Sequence, residues 1–479
     1  MVRFFLLFLF TSQLGCSVGP HYMLTEPDVP ASFATTPEIA TVATVDADWW
    51  KLFRDPVLCE MISRVECQNR DLRVAEARLL EARSLWKAAR FEILPIATSR
   101  AAYTNIQTSG ARSNFDSGRN FDLHEVGLDA TWELDLFGRV RHSIKAARAT
   151  EEALAAQRDA LLLSLRAEVA LNYLLLRGAQ AQLSVAQQNA ANQAESLRIA
   201  EASLKGGRGN QLDVARAKAQ WNATRATVPQ YQIDIDKSAH RIAVLCGAAP
   251  SEFRDTLRVT TAMPRPPARV AMSDPTSLLR GRPDIRVAER NLAAATSRVG
   301  VATADLFPRV TFNGSFGLEA GSIKGLGRSG SGVHSFGPSL TWAAFDLARV
   351  KQLLKAAGAR ADAALSNYEQ SVLIALEEAE NALTEYDREN ARLRFLRASA
   401  TSAEEAARLA RQRYQEGVSD FLDVLDAERV ALTAQSDAVT SEVRAAIAWV
   451  AVYKAMGGGW QWQCTEELKE SQIKSGEHR

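Results

Sequence analysis

The chain has 479 residues, a formal net charge of +1, and 47% hydrophobic against 24% charged residues. A charge so close to zero excludes the broad basic field that nucleic acid requires as a main partner. Past the N-terminus no run of 18 apolar residues offers a transmembrane helix, and none of Cys59, Cys67, Cys246 and Cys464 stands in a C-x-x-C pair or at metal-ligand spacing to a histidine.

Residues 1–15 carry Arg3, an apolar stretch from Phe4 to Phe10, and then Gln13-Leu14-Gly15 ahead of Cys16. This is the pattern of a secretory signal. Its end resembles a bacterial lipobox, with Gln13 where an aliphatic residue is usual, so Cys16 is the expected site of lipid attachment and the mature first residue. A plain signal peptide with a structural cysteine is the alternative. Ser17 is compatible with sorting to the outer membrane. Cys59 and Cys67 fall on one short helix about 12 Å apart, beyond bridging reach. Cys59, Cys67, Cys246 and Cys464 are therefore expected to be buried or idle thiols.

Residues 16–68 open as an extended segment with Pro20, Pro27, Pro30 and Pro37 and turn helical near Pro56. Asn69 or Asp71 starts a helix that stops near Pro95, because proline disfavours the α region in the residue before it. A β-hairpin with a polar tip follows over about 96–134, where Val126, Leu128, Ala130 and Trp132 alternate with Gly127, Asp129 and Thr131. From about 138 to 205 there is no proline and one interior glycine, Gly178. At 1.5 Å per residue this predicts a helix about 100 Å long. Gly206-Gly207-Arg208-Gly209 turns the chain, Asn210 caps, and a return helix runs over about 210–246.

The pattern then starts again. Asp71-Leu72-Arg73-Val74-Ala75-Glu76 returns 213 positions on as Asp284-Ile285-Arg286-Val287-Ala288-Glu289, and Leu94-Pro95 as Phe307-Pro308. Trp132 matches Trp342 at a separation of 210, as do Leu212-Asp213-Val214 and Leu422-Asp423-Val424. The three-residue difference falls between the proline and the tryptophan, where a surface loop tolerates insertion. The first repeat spans 69–247, a proline-marked linker 248–282, the second repeat 283–457, and a C-terminal tail 458–479. Within the second repeat the hairpin is expected at about 309–343, the long helix at 348–416 and the return helix, capped by Asp420, at 420–456.

Both long helices carry a heptad seam in one phase. Leu183, Ala186, Ala190, Gln193, Leu197, Ala200 and Leu204 correspond to Leu393, Leu396, Ala400, Ala403, Ala407, Ala410 and Tyr414. Small seam residues allow close coiled-coil packing. An ordinary intramolecular coiled-coil hairpin is the alternative reading.

If the hairpins enter lipid, every backbone group must be paired and the sheet must close. Four strands cannot close alone, two chains give 8 strands with a filled interior, and three give 12 with a lumen. A homotrimer is the smallest solution that conducts. Trp132 and Trp342, at equivalent strand ends just before each long helix, are the expected membrane-interface aromatics; core residues at a strand–helix corner are the alternative. His124 and His334 also repeat at 210, which duplication explains better than a cation site.

Three runs carry a resemblance: Cys16-Ser17-Val18-Gly19-Pro20-His21-Tyr22, Trp49-Trp50-Lys51-Leu52-Phe53-Arg54-Asp55-Pro56, and Tyr414 through Asp426. With the duplicated helix–hairpin–helix order, they resemble the TolC-type outer-membrane efflux proteins, lipoprotein branch, from Cys16 to Trp460. The resemblance implies a mainly α, α+β membrane protein. Each chain repeats a helix, β-hairpin, long helix and return helix, and a homotrimer forms a 12-stranded outer-membrane barrel continuous with a long periplasmic α-helical barrel. It implies a multidrug-resistance role, a periplasmic adaptor, and an inner-membrane transporter of the proton-driven RND type. No cofactor is implied beyond the lipid on Cys16, and no nucleic acid.

The resemblance also implies a periplasmic gate at helical turns far from the barrel. Asp213 matches the family's linking acid, Tyr414 the tyrosine that bonds to it, and Asp423 and Asp426 the carboxylates around the narrowest point. Ser419 stands where several members have arginine, so a salt bridge is absent there. Residues three apart share a helix face, so both acids can face the lumen. Solvated acids near helix starts, where the dipole favours them, are the alternative. No nucleophile elbow, phosphate loop or catalytic acid pair with histidine appears, so enzymatic activity is not expected. A protein-secretion duct of the same fold and a lipid-anchored coiled-coil scaffold without a channel are the competing functions.

Overall fold

In a computed structural model, the described residues are 17–23, 29–34, 40–42, 46–107, 120–267 and 269–461. The signal sequence, Cys16, Cys464 and the tail after Gln461 lie outside them. In chain order the elements are β1 (Ala40–Val42), α1 (Pro56–Gln68), α2 (Arg70–Phe91), β2 (Ile96–Gln107), β3 (Asn120–Leu134), α3 (Arg139–Lys205) and α4 (Gln211–Leu245). Then come α5 (Arg254–Arg258), β4 (Val270–Met272), α6 (Pro275–Gly281), α7 (Pro283–Ala304), β5 (Arg309–Ala320), β6 (Gly332–Thr341), α8 (Leu347–Gln415) and α9 (Phe421–Ala455). α3 has 67 residues and α8 has 69.

Local chemistry sets the boundaries. Asp55 caps α1 by accepting the N–H groups of Val57 and Leu58 at 2.9 and 3.1 Å, and Pro56 occupies the first turn, where a missing N–H costs nothing. Asn69 both closes α1 and opens α2, since its Oδ1 accepts the Leu72 N–H at 3.0 Å. Asn210 caps α4 through the Asp213 N–H at 2.8 Å, whereas Asp420 caps α9 without a side-chain bond. The turns before these caps need Gly207 and Gly417, whose φ angles of 71° and 77° are left-handed.

The chain forms two compact units, and each draws on both repeats. One comprises Arg78–Ala155 and Val287–Glu369 with the described part of residues 1–26; the other comprises Pro27–Ala77, Ala156–Arg286 and Gln370 onward. The first holds an antiparallel sheet in the order β2-β3-β5-β6. The second holds the parallel pair β1–β4 and an aromatic core in which Phe53 meets Trp449 at 4.9 Å and Trp449 meets Tyr453 at 4.2 Å. Trp49 of the Trp49–Pro56 run is part of it, and Asp55 of the same run accepts the Tyr173 hydroxyl at 2.7 Å.

Two expectations change. The buried line of α3 is Gln182, Ala186, Asn189, Gln193, Ser196 and Ala200, while Leu183, Ala190, Leu197 and Leu204 are half-buried beside it. Three of the four polar rungs on the inner line, all but Gln193, are answered by α9. Gln182 donates to the Ser436 carbonyl at 2.7 Å, Asn189 to Gln435 Oε1 at 2.7 Å, and the Ser196 hydroxyl to Glu428 at 2.6 Å. In α8 the line lies as spaced: Leu393, Ala403 and Ala407 are buried, and Leu396, Ala400, Ala410 and Tyr414 half-buried. The second change is Cys67, which is disulfide-bonded rather than idle; Cys59 and Cys246 are free. Helix spacing excludes only a pair within α1 and says nothing of partners distant in sequence. Burial pushes the Cys246 thiol up to about 12.

Candidate functional site: the sheet faces and the helical turns

The four-stranded sheet is amphipathic. Cross-strand partners share a face, and the register puts Ala101 beside Val126, Leu128 beside Phe316, Trp132 beside Phe312, and Val310 beside Leu340. On the opposite face Thr98 partners Asp129, Asp129 partners Ser315, Thr131 partners Asn313, and Glu125 partners Glu319. One face is thus apolar and the other polar, although both are open to solvent. The apolar face holds Leu128, Phe316, Phe336 and Leu340 at 59%, 67%, 75% and 65% exposure, which leaves a hydrophobic surface too large for water. On the polar face Arg100 lies 3.9 Å from Glu125 and 3.6 Å from Asp129, and Ser315 meets Ser335 at 2.9 Å.

Trp132 and Trp342 close the apolar face at equivalent strand ends. Their indole N–H groups donate to the carbonyls of Ile93 and Leu306, at 2.8 and 3.0 Å, so the repeat keeps the bond as well as the residue. Trp132 is half-buried and Trp342 is exposed. His124 and His334 sit on the apolar face beside Tyr103 and Phe316 and do not meet. No group of three or more His, Cys, Asp or Glu suited to a metal ion occurs among the described residues.

The N-terminal stretch is fixed to the same unit. The Val18 N–H donates to the Phe137 carbonyl at 3.1 Å, and His142 Nε2 lies 2.9 Å from Ser17 Oγ and 3.0 Å from the Val18 carbonyl. Gly300 makes room for that ring, since a Cβ there would stand 2.4 Å from His142 Nδ1. Tyr22 donates to Glu289 at 2.8 Å, and burial together with that bond pushes its phenol well above the ordinary range. Sequence reading attached no contact to Ser17 or His142, because nothing in the spacing links them.

The helical turns belong to the other unit. Asp423 and Asp426 are exposed on one face of α9. Asp426 pairs with Arg429 at 2.6 Å, a partner that the sequence reading did not weigh. Tyr414 is half-buried, its ring 5.0 Å from that of Phe421, and it packs with Val214 against Ala200, Ala217, Phe421, Val424 and Leu425. Asp213 is half-buried in the first turn of α4, next to Val214; among the described residues no hydrogen bond joins it to Tyr414. Ser419 Oγ is buried without a partner. The turns also expose Leu212, Val418 and Leu422 at 55%, 63% and 55%.

The family model described as "Outer membrane efflux protein" matches residues 61–248 and 275–458, one span per repeat. The chain belongs to the outer membrane efflux protein family. The solvent efflux pump outer membrane protein SrpC of Pseudomonas putida is 30% identical over 458 residues, covering 93% of this chain and 96% of the relative. The toluene efflux pump outer membrane protein TtgF, also of Pseudomonas putida, is 29% identical over 456 residues, covering 93% and 94%. The solved outer-membrane channel OprN superposes with a TM-score of 0.88 at 43% identity, covering 93% of this chain and all of that one. As an outer membrane efflux protein the chain is a channel and not an enzyme. Membership also explains the sheet: an apolar face for lipid and a polar face for a lumen are what a membrane strand requires.

Proposed function

We propose that three copies of this chain form the outer-membrane duct of a tripartite efflux system. The duct conducts drugs or other small molecules passively from an inner-membrane transporter of the proton-driven RND type, handed on by a periplasmic adaptor. The observation that carries the reading is the sheet, amphipathic and open at both edges, β2 and β6. Unpaired backbone cannot stand in lipid, and three such sheets joined edge to edge make a closed 12-stranded barrel with a lumen. The solvent and toluene pumps among the relatives favour lipophilic small cargo over secreted protein.

In this reading Trp132 and Trp342 mark the membrane surface. Cys16 is the acylated anchor of a lipoprotein, and the fixing of Ser17 and Val18 beside Phe137, where β3 hands over to α3, supports an anchor held close to the membrane-facing sheet. Asp213, Tyr414, Ser419, Asp423 and Asp426 form the periplasmic gate. Leu212, Val418 and Leu422 give the adaptor an apolar tip on which to dock.

Planar-bilayer recording of the purified protein tests the duct. Discrete conductance from a trimer is expected; a folded trimer that stays silent even as Tyr414→Phe or Asp423→Ala leaves only a scaffold. Deletion is expected to lower resistance to lipophilic drugs and solvents. Unchanged susceptibility with loss of a secreted protein transfers the duct to protein export.

A further inference from the structure

The seam between α3, α8 and α9 buries one carboxylate that nothing within it neutralises well. Glu428 of α9 is 3% exposed. Its Oε1 accepts the Ser196 hydroxyl of α3 at 2.6 Å, and Arg411 of α8 brings Nε within 3.5 Å of the same oxygen. That N–H also donates to the Ala407 carbonyl at 3.4 Å, so the guanidinium is a loose partner. Glu428 Oε2 is buried with no partner at all. Other charges nearby in sequence pair among themselves at the exposed surface: Glu195 with Arg198 on α3, Glu405 with Arg408 on α8, and Asp426 with Arg429 on α9. Arg411 is therefore the charged group that faces Glu428.

One turn before Ser196, Gln193 is 2% exposed and both of its amide atoms lack partners. The rungs at Gln182, Asn189 and Ser196 have partners; Gln193 and the second oxygen of Glu428 do not. Orphaned buried polar groups weaken packing wherever a small movement would bring them to water. Through Ser196 this stretch of α3 meets Glu428, two residues after Asp426 on α9.

We propose that Glu428 is a proton-operated lock on this three-helix seam. Uncharged, it leaves α9 packed on α3 and α8; ionised, it drives α9 outward until Oε2 reaches water. The inference rests on the reading of α9 as part of the duct's gate. The direction follows from linkage. Burial raises the Glu428 carboxyl above its ordinary range, and Ser196 and Arg411 offset this only in part. A carboxyl that holds its proton more tightly when packed favours the packed state in full below the pKa it has in water. That preference is lost as pH rises from there through the raised pKa, and the more the packed state opposes ionisation the larger the loss.

The test pairs bilayer recording with hydrogen–deuterium exchange over residues 416–432 of the detergent-solubilised full-length trimer, between pH 5 and 8, with exchange expressed relative to the intrinsic amide rate at each pH so that its base catalysis cancels. In the native protein, conductance and exchange are expected to rise together along one titration. Glu428→Gln should stay slow to exchange and weakly conducting throughout. Ser196→Ala removes a donor to the ionised form, so the packed state tolerates the charge less and the midpoint is expected to move to lower pH. The exposed acids are controlled by the double variant Asp423→Asn/Asp426→Asn, which should keep the exchange titration. A Glu428→Gln protein that titrates like the native one, exchange that falls as pH rises, or a midpoint indifferent to Ser196→Ala overturns the lock. A trimer that is silent at every pH removes the duct reading, while the exchange titration judges the lock by itself.

Discussion

Arg166 and Glu66 meet in an ion pair 2.7 Å long, with side-chain exposures of 0% and 6%. The guanidinium also lies 4.6 Å from the centre of the Trp50 ring and donates to the Gln461 carbonyl at 3.0 Å. Burial pushes the Glu66 carboxyl up and the Arg166 guanidinium down, so each charge is tolerated only because the other is present. Removing one partner of a buried pair costs about 3–5 kcal/mol, and replacing both with apolar groups costs far less. Thermal unfolding of the solubilised protein is expected to show a severe loss for Glu66→Ala and partial recovery for Glu66→Ala/Arg166→Met. Equal loss in both variants would mean that the pair contributes packing alone.

Gly178 is the interior glycine of the longest proline-free run in the first repeat. A Cβ there would stand 2.4 Å from Val443 Cγ2, so α3 and α9 touch at this point through the missing side chain. Overpacking of this kind costs about 1–3 kcal/mol. Gly178→Ala should lower the unfolding temperature, and Gly178→Ala/Val443→Ala should restore much of it. Failure of the second change to rescue the first would place the defect elsewhere.

The N-terminal contacts separate attachment of lipid from docking of the segment that bears it. Metabolic labelling with a fatty acid is expected to vanish in Cys16→Ser. It should persist in Gly300→Ala, where the new methyl crowds His142 and loosens its contacts with Ser17 and Val18. Faster proteolysis of the N-terminal stretch in Gly300→Ala would report the loosening. Labelling that survives Cys16→Ser puts the anchor at another residue.

Asp423 and Asp426 share an exposed face, but among the described residues only Asp426 pairs with a cation, Arg429 at 2.6 Å. Asp423 therefore presents the less screened charge. Reversal potentials in a low-salt gradient are expected to shift towards weaker cation preference in both asparagine variants, with Asp423→Asn the larger change. An equal or reversed order would mean that Arg429 leaves its partner in the assembled channel. Salt should shrink both shifts, since exposed charges are screened over about 10 Å at 0.1 M.

Much of the fold was legible because punctuation and period agreed. Pro95 and Pro308 stop helices before strands, Gly206 to Asn210 and Gly417 to Asp420 turn the long helices back, and alternation at Val126 to Trp132 marks a strand. The seam of α8 was legible because its inner line is apolar or small. That of α3 was not: an apolar heptad count passes over Gln182, Asn189 and Ser196, whose burial depends on Ser436, Gln435 and Glu428 more than 230 positions away. The same limit hid the disulfide at Cys67 and the docking of Ser17 on His142. Each depends on which residue stands opposite, and periodicity carries no information about partners distant in sequence. Arg429 beside Asp426, by contrast, is a pair three apart on one helix, which spacing does disclose.

The two bare margins of the sheet, β2 with 12 residues and β6 with 10, bear on how the channel is made. A lone subunit pushed into hydrocarbon would leave a row of unbonded amides at each margin, and each stranded group costs several kcal/mol there. No subunit can wait in the bilayer for its companions. For the proposed trimer, oligomerisation and membrane integration are then one event, and a variant that assembles slowly is expected to accumulate in the periplasm rather than as single copies embedded in the outer membrane.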